Sequence, residues 1–365
     1  MHLTELKTNK NVSEYIFGVG ALSSLPGMLS KKRINEKEFV IFMIDTYFQK
    51  EQTILSQLQI NDLDKLVFVS ATIEPTTGYV DSLFRQLKTV GAVKPCAVVG
   101  IGGGTTMDIA KAISNLLTNG GKSEDYQGWD LVKKPGIYKI AVPTVSGTGA
   151  ETSRTCVVTN TNSGLKLGMN SEYSIYDQLI LDPNLTATVP RSQYFYSGMD
   201  AYIHSMESSN GSYRNALADS YANQTILLCR EVFSSEDMMT IENRSKLMVA
   251  SYLGGCAIGA SYVGVVHPFS AGLSVVLGLH HCVANCITMR AMEEFYPVGF
   301  QQFWTMVEQQ EIEIPERVCH GLSDEQYDQL YRSTILHEKP LTNALGNNFR
   351  KILSEQKVKE IFLKM

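Results

Sequence analysis

The stretch VVGIGGGTTMDIAK (98–111) commits this chain further than any other: an apolar run leads through three consecutive glycines into an amphipathic segment. A strand feeding a helix through such a turn is the opening of a βαβ unit, and βαβ units build parallel sheets. Glycines let the main chain come close to a ligand, while the backbone N–H groups and the helix N-terminus favour an anion. Thr105, Thr106 and Asp108 sit in the first helical turn, where the hydroxyls add further bonds and Asp108 is expected as a further cofactor contact. The pattern is neither the G-x-G-x-x-G fingerprint nor a P-loop, since it lacks the Lys-Ser/Thr pair.

The flanking sequence keeps the same rhythm. Apolar runs at FVIFMID (39–45) and KLVFVS (65–70) precede the helical pattern YVDSLFRQLKTV (79–90), and YKIAVPT (138–144), TCVVTN (155–160) and YDQLILD (176–182) extend the β-rich reading. From about Pro190 the strand signals stop, and RNALADSYANQTILLCREVF (214–233) and NRSKLMVASYLGGCAIGASYV (243–263) read as long helices. With 365 residues the chain exceeds what one hydrophobic core supports. The expectation is an α/β N-terminal dinucleotide-binding domain with a parallel sheet over residues 1–186 and an all-α domain over 187–365, with a cleft between them.

Bulk composition narrows the partners. A net charge of -5 and a pI near 5.9, with no concentrated Lys/Arg run, argue against nucleic acid or an anionic membrane and for a small molecule. The first residues have no apolar core behind a basic region, so no secretory signal is read. The most apolar region (254–281) is broken by Pro268 and carries histidines, which suits buried helices better than a bilayer span. Seven cysteines without a CxxC pair point to reduced thiols in a cytoplasmic protein. Cys282 and Cys286, one helical turn apart, are either metal ligands or buried thiols, and the second is expected.

A second glycine-bearing loop, PTVSGTGAE (143–151), follows another strand and places Thr144, Ser146 and Thr148 where they border the same ligand. Two such loops favour a dinucleotide over a lone phosphate. Asp45 closes the first apolar run; a carboxylate there accepts bonds from a ribose diol and repels a 2′-phosphate, which selects NAD over NADP.

In GMDAYIHSMES (198–208), Asp200 and His204 are four apart and share one helical face. Such a pair also serves as a plain local hydrogen bond. His267 in GVVHPF and the pair His280/His281 in GLHHCVAN lie further on, in glycine- and alanine-rich surroundings. Asp200, His204, His267 and one of the pair would offer a carboxylate and three imidazoles, a set suited to Zn²⁺ or Fe²⁺. His2, His320 and His337 stand in polar or terminal contexts and are read as surface residues.

Taken in order, GGGTTMDIAK, PTVSGTGAE, LDP (181–183) and GMDAYIH resemble the iron-containing, group III metal-dependent alcohol dehydrogenases, over nearly the whole chain. The resemblance implies a dehydroquinate synthase-like pairing of an NAD-binding domain with a helical metal-binding domain. It implies metal ligands at Asp200, His204, His267 and His281. His281 is preferred over His280 because it precedes CVAN where the family has His-Gly-x-x-Asn, with Cys282 in place of the glycine. NAD contacts are implied at Asp45, Gly103, Gly104, Thr105, Thr144, Ser146, Thr148 and Lys166. Many members carry another histidine four residues after the third ligand. Here that position is Ala271, leaving His280 or a water chain as the proton route.

YQGWDLVKKP (126–135), SGTGAETSRT, GMDAYIHSMES and VLGLHHCVANCI are similar to the branch of 3-deoxy-D-manno-octulosonate 8-oxidases, which implies oxidation of a terminal alcohol of a sugar acid ahead of an aminotransferase, in lipopolysaccharide amino-sugar synthesis. Another small polyol or aldehyde is the alternative substrate. Arg154, Gln127, Trp129 and Lys166 are expected to line a pocket for the acid. A dehydroquinate synthase-like cyclase ranks lower, because no Lys/Arg cluster accompanies the histidines. A binding protein without turnover has only Ala271 in its favour. A homodimer is the default assembly.

Overall fold

The computed structural model describes residues 9–72 and 74–365. They separate into two compact units: Lys10–Val145 with Ala150–Thr188, and Val189–Met365 with Asn9 and the short segment Ser146–Gly149.

The first unit is built on a parallel six-stranded sheet of order β1-β9-β6-β4-β2-β3. Its strands are β1 (Glu14–Phe17), β2 (Val40–Asp45), β3 (Lys65–Val69), β4 (Ala97–Gly102), β6 (Lys139–Pro143) and β9 (Gln178–Leu181). The central strands β2, β4 and β6 are buried on both faces, which is why they read as continuous apolar runs. Helices α1 (Leu25–Ser30), α2 (Gln52–Leu55), α3 (Thr77–Thr89) and α4 (Gly104–Asn119) join them. The chain runs from β2 to its outer neighbour β3, returns to β4 on the other side of β2, and continues to β6. The connections from β2 and β4 therefore leave in opposite directions. This makes the carboxyl ends of those two strands the switch point where open α/β sheets take ligands.

TCVVTN forms a strand outside the main sheet: β7 (Thr155–Thr159) pairs antiparallel with β8 (Lys166–Asn170), which pairs with β5 (Gly128–Trp129) in a separate three-stranded sheet. Its burial alternates, with Cys156 and Val158 turned inward, as in a strand covered on one face only. The edge strand β1 was not expected: its apolar run, Tyr15–Ile16–Phe17, is only three residues long, and Tyr15 and Phe17 are exposed.

The second unit is helical: α5 (Arg191–Asn210), α6 (Ala216–Phe233), α7 (Ile241–Ala260), α8 (Val266–Leu277), α9 (His281–Thr288), α10 (Pro297–Gln309), α11 (Asp324–Ile335), α12 (Glu338–Leu345), α13 (Phe349–Ile352) and α14 (Glu355–Phe362). The GMDAYIHSMES segment is buried around its circumference, since α6, α7 and α9 enclose α5. None of the seven cysteines is in a disulfide, and all but Cys96 are buried. Among the described residues no helix is long and apolar enough to cross a membrane.

Candidate active site

One stripe of α5 carries Asp200, His204 and Glu207, all buried. His267 comes from the first turn of α8 and His281 opens α9. The carboxylate of Asp200 is the meeting point: its Oδ1 lies 3.4 Å from Nε2 of His204 and 3.3 Å from Nε2 of His267, and its Oδ2 lies 3.7 Å from Nε2 of His281. The donor atoms of Asp200, His267 and His281 all fall within 4.8 Å of one another. His204 stands beside them, its ring stacked on that of His267 at 4.7 Å between centroids. A carboxylate and three imidazoles gathered around Asp200, with Asp200 and His204 buried and His267 and His281 half-buried, form a donor set that fits a divalent cation.

Charge within the cluster supports that fit. Burial alone would raise the carboxyl of Asp200, yet His204, His281 and His267 outweigh it and hold the group ionised, well below the usual carboxylate range. Burial lowers His204 to about 4, so its imidazole is neutral with a lone pair to give. Burial pulls His267 down too, but Glu207 and Asp200 overcome it and raise the ring to about 9.

Glu207 went unassigned in the sequence, although it continues the Asp200/His204 stripe by one further turn. One of its carboxylate oxygens accepts from Nδ1 of His267 and the other from the Val266 amide. Fixing Nδ1 in this way turns Nε2 of His267 toward Asp200, the outer-shell arrangement that orients ligating histidines. Glu207→Gln is expected to weaken metal binding about 10- to 100-fold. Competition against a chelator of known affinity measures it, and an unchanged affinity would remove Glu207 from this role.

In the first unit, Asp45 ends β2 and Gly102 ends β4, side by side at the switch point, and Gly103 and Gly104 lead into α4. A Cβ on Gly102 would lie 2.6 Å from Oγ1 of Thr106 and 3.1 Å from Cβ of Asp45, so the turn closes only around glycine. No side chain caps α4 at its N-terminus, and Oγ1 of Thr106 is buried with no hydrogen-bond partner. Thr144 donates its amide to the Gly102 carbonyl at 2.9 Å. Asp45 accepts from the Tyr47 amide through Oδ1 at 2.9 Å. An uncapped helix behind a bare turn, with a carboxylate on the next strand, fits a dinucleotide whose diphosphate lies over α4 and whose ribose lies at Asp45.

The loop Ser146–Gly149 belongs to the helical unit, where it touches two helices by its backbone. A Cβ on Gly147 would meet the Ser197 carbonyl, and one on Gly149 would fall 2.7 Å from Cα of Gly255. Ser146 is buried, its hydroxyl without a hydrogen-bond partner, and Thr148 is half-buried.

Other candidate residues have surroundings of their own. Asp108 accepts from the Val157 amide at 2.9 Å and lies 3.6 Å from the buried ammonium of Lys111, tying α4 to β7 in place of the expected cofactor contact. Gln127 donates to the Val158 carbonyl and accepts from Asn160, a packing role in the small sheet where a substrate contact was expected. Lys166 is buried against Glu74 at 2.8 Å. Arg154 pairs with Asp130 and lies over the Trp129 ring. His280 is exposed just ahead of α9, and Ala271 is buried in α8. Asp182 of the LDP stretch accepts amides from Gly20, Leu22 and Asn184. His320 is exposed and His337 half-buried, whereas His2 lies outside the described residues.

Comparison with known proteins bears on both halves. The model of the iron-containing alcohol dehydrogenase matches residues 12–183, and that of the C-terminal part of the Fe-containing alcohol dehydrogenase family matches 194–311. The chain is 30% identical over 284 residues to an NAD-dependent methanol dehydrogenase of Bacillus methanolicus, covering 75% of this chain and 72% of that one. This chain belongs to the iron-containing alcohol dehydrogenase family. It is an enzyme, an oxidoreductase of alcohols and aldehydes that uses NAD and a metal. A sulfoacetaldehyde reductase of Bilophila wadsworthia (strain 3_1_6) is 29% identical over 280 residues, 75% of this chain and 70% of that protein. The fold matches a crystal structure of 1,3-propanediol oxidoreductase with a TM-score of 0.83 at 20% identity, covering 98% of this chain and 99% of that one. It also matches the sulfoacetaldehyde reductase of Bifidobacterium kashiwanohense in complex with NAD+ with a TM-score of 0.80 at 19% identity, covering 98% of each chain.

Proposed function

We propose that this protein oxidises the C8 hydroxyl of 3-deoxy-D-manno-octulosonate to the aldehyde. The chemistry rests on one observation, the convergence of His204, His267 and His281 on the buried carboxylate of Asp200. The choice of sugar acid is supported by the four stretches around Trp129, Glu151, Asp200 and His281 that resemble that branch of the family. When bound, the metal supplies a Lewis acid for the substrate oxygen, and the nicotinamide takes the hydride. Asp200, His204, His267 and His281 hold the metal, and Glu207 sets the orientation of His267. Asp45 selects the ribose diol; Gly103, Gly104 and Thr105 meet the diphosphate; Thr144, Ser146, Thr148 and Lys166 complete the cofactor contacts. With alanine at 271, the exposed imidazole of His280 or a water chain carries the proton to solvent. The enzyme works in the cytoplasm as a homodimer, and a partner aminotransferase consumes the aldehyde.

A second reading, a dehydrogenase or reductase for a small alcohol or aldehyde, is favoured by relatives named for sulfoacetaldehyde and methanol. NADH formation by the zinc- or iron-loaded enzyme separates the two, with the sugar acid run beside methanol, 1-propanol and 1,3-propanediol and an aldehyde trap present. Turnover confined to the sugar acid is the expected result. Turnover of small alcohols alone would discard the sugar and keep the chemistry, and no turnover of any alcohol would overturn both.

A further inference from the structure

The side chain of Asn285, fully buried on α9 one turn after His281, reaches into the donor cluster. Its Nδ2 donates to Oδ1 of Asp200 at 2.7 Å and lies 3.5 Å from Nε2 of His267 and 3.3 Å from Nε2 of His281. These are the residues whose donor atoms fall within 4.8 Å of one another. At the other end of the same amide, Oδ1 is buried with no hydrogen-bond partner. A buried carbonyl oxygen left unpaired costs on the order of 1–3 kcal/mol, so this orientation is favourable only while the N–H groups have the donor set to themselves.

A divalent cation among the same atoms reverses the balance. Nitrogen and oxygen ligands bind Zn²⁺ at about 2.0–2.2 Å, which brings the ion close to Nδ2. An N–H dipole pointing at a cation is repelled, whereas a carbonyl dipole is attracted. The planar amide exchanges one for the other by a half-turn about its terminal bond, with no movement of α9.

We propose that Asn285 is a placeholder for the cation: its two Nδ2 hydrogens bridge Asp200 and His281 in the absence of a metal, and the amide turns its Oδ1 toward the metal when one is bound. The metal-free site is thereby kept assembled, with its acceptors held at binding distance instead of repelling one another. The role rests on the reading of Asp200, His204, His267 and His281 as metal ligands.

The test uses zinc alone, with no substrate or cofactor, on the full-length protein. Chelator competition on the wild type and His267→Ala first establishes that zinc binds at this cluster, so a failure of the ligand reading is seen separately. Asn285→Leu is expected to bind zinc about 10- to 100-fold more weakly. Asn285→Asp keeps the shape and offers only oxygens. It is expected to match or exceed the wild-type zinc affinity while its metal-free form melts at a lower temperature, because two carboxylates then face each other. The side-chain ¹⁵NH₂ resonances of Asn285, assigned by their absence in Asn285→Asp, should shift on zinc addition. If Asn285→Asp loses zinc affinity as Asn285→Leu does, or if those resonances stay unchanged, the amide does not turn and the proposal falls. Wild-type zinc affinity in Asn285→Leu would also overturn it.

Discussion

His267→Ala is expected to lose the metal and, with it, at least about a thousandfold in kcat/KM, while NAD binding stays intact. The magnitude follows from the several kcal/mol of charge stabilisation that a Lewis acid contributes, at about 1.4 kcal/mol per decade of rate. The loss should exceed that of a typical ligand because His267 links two charged residues, with Nε2 3.3 Å from Asp200 and Nδ1 bonded to Glu207. Removing the ring leaves two buried carboxylates without the group that joins them, a costly arrangement in a dry interior. Metal content by elemental analysis, NAD affinity by fluorescence titration and steady-state rates with the alcohol read the three parts. Full metal occupancy in the variant would withdraw His267 from the ligand set, and loss of NAD binding would point to general unfolding.

The second large effect is expected at a residue whose role is packing against α5. Gly147 adopts φ +132, and a Cβ there would fall 1.6 Å from the Ser197 carbonyl oxygen and 2.7 Å from the Gly198 nitrogen. The obstacle is the backbone of α5, which cannot retreat without carrying Asp200 with it, three residues beyond Ser197. Gly147→Ala should cost about 3 kcal/mol or more, the sum of overpacking and an unfavourable backbone conformation. In calorimetry this corresponds to a fall in Tm of at least about 5 °C. Chelator competition on the folded fraction should find weaker metal binding as well, because the clash is transmitted to the turn before Asp200. A variant that melts like the wild type would show that the loop does not press on α5.

Much of this was legible locally. The central strands are apolar on both faces and the glycine turn lies between a strand and a helix, so β2, β4 and α4 follow from runs of neighbouring residues. Asp200 and His204 could be paired because four residues make one helical turn. The same reasoning missed β1, whose apolar run, Tyr15–Ile16–Phe17, is only three residues long, and it did not say which sheet TCVVTN joins. Strand pairing is a choice between distant partners, which a run of six residues does not encode. Asp108 and Gln127 were assigned to ligands for their polarity and position in a loop or first turn. Their carboxylate and amide instead satisfy backbone groups of the small sheet, partners that no local pattern announces.

Residue types, their periodicity and the chemistry they can offer are properties of short stretches, and these were present in the chain before it folded: a parallel α/β half, a helical half, and a carboxylate with histidines enough to bind a metal. Convergence is a property of the folded chain. Glu207 meets His267 across 60 residues and Asn285 meets Asp200 across 85, and both contacts exist because α5 is enclosed by its neighbours. A buried carboxylate must find partners among whatever the packing brings close. The packing of α5, α8 and α9 chose which polar groups those would be.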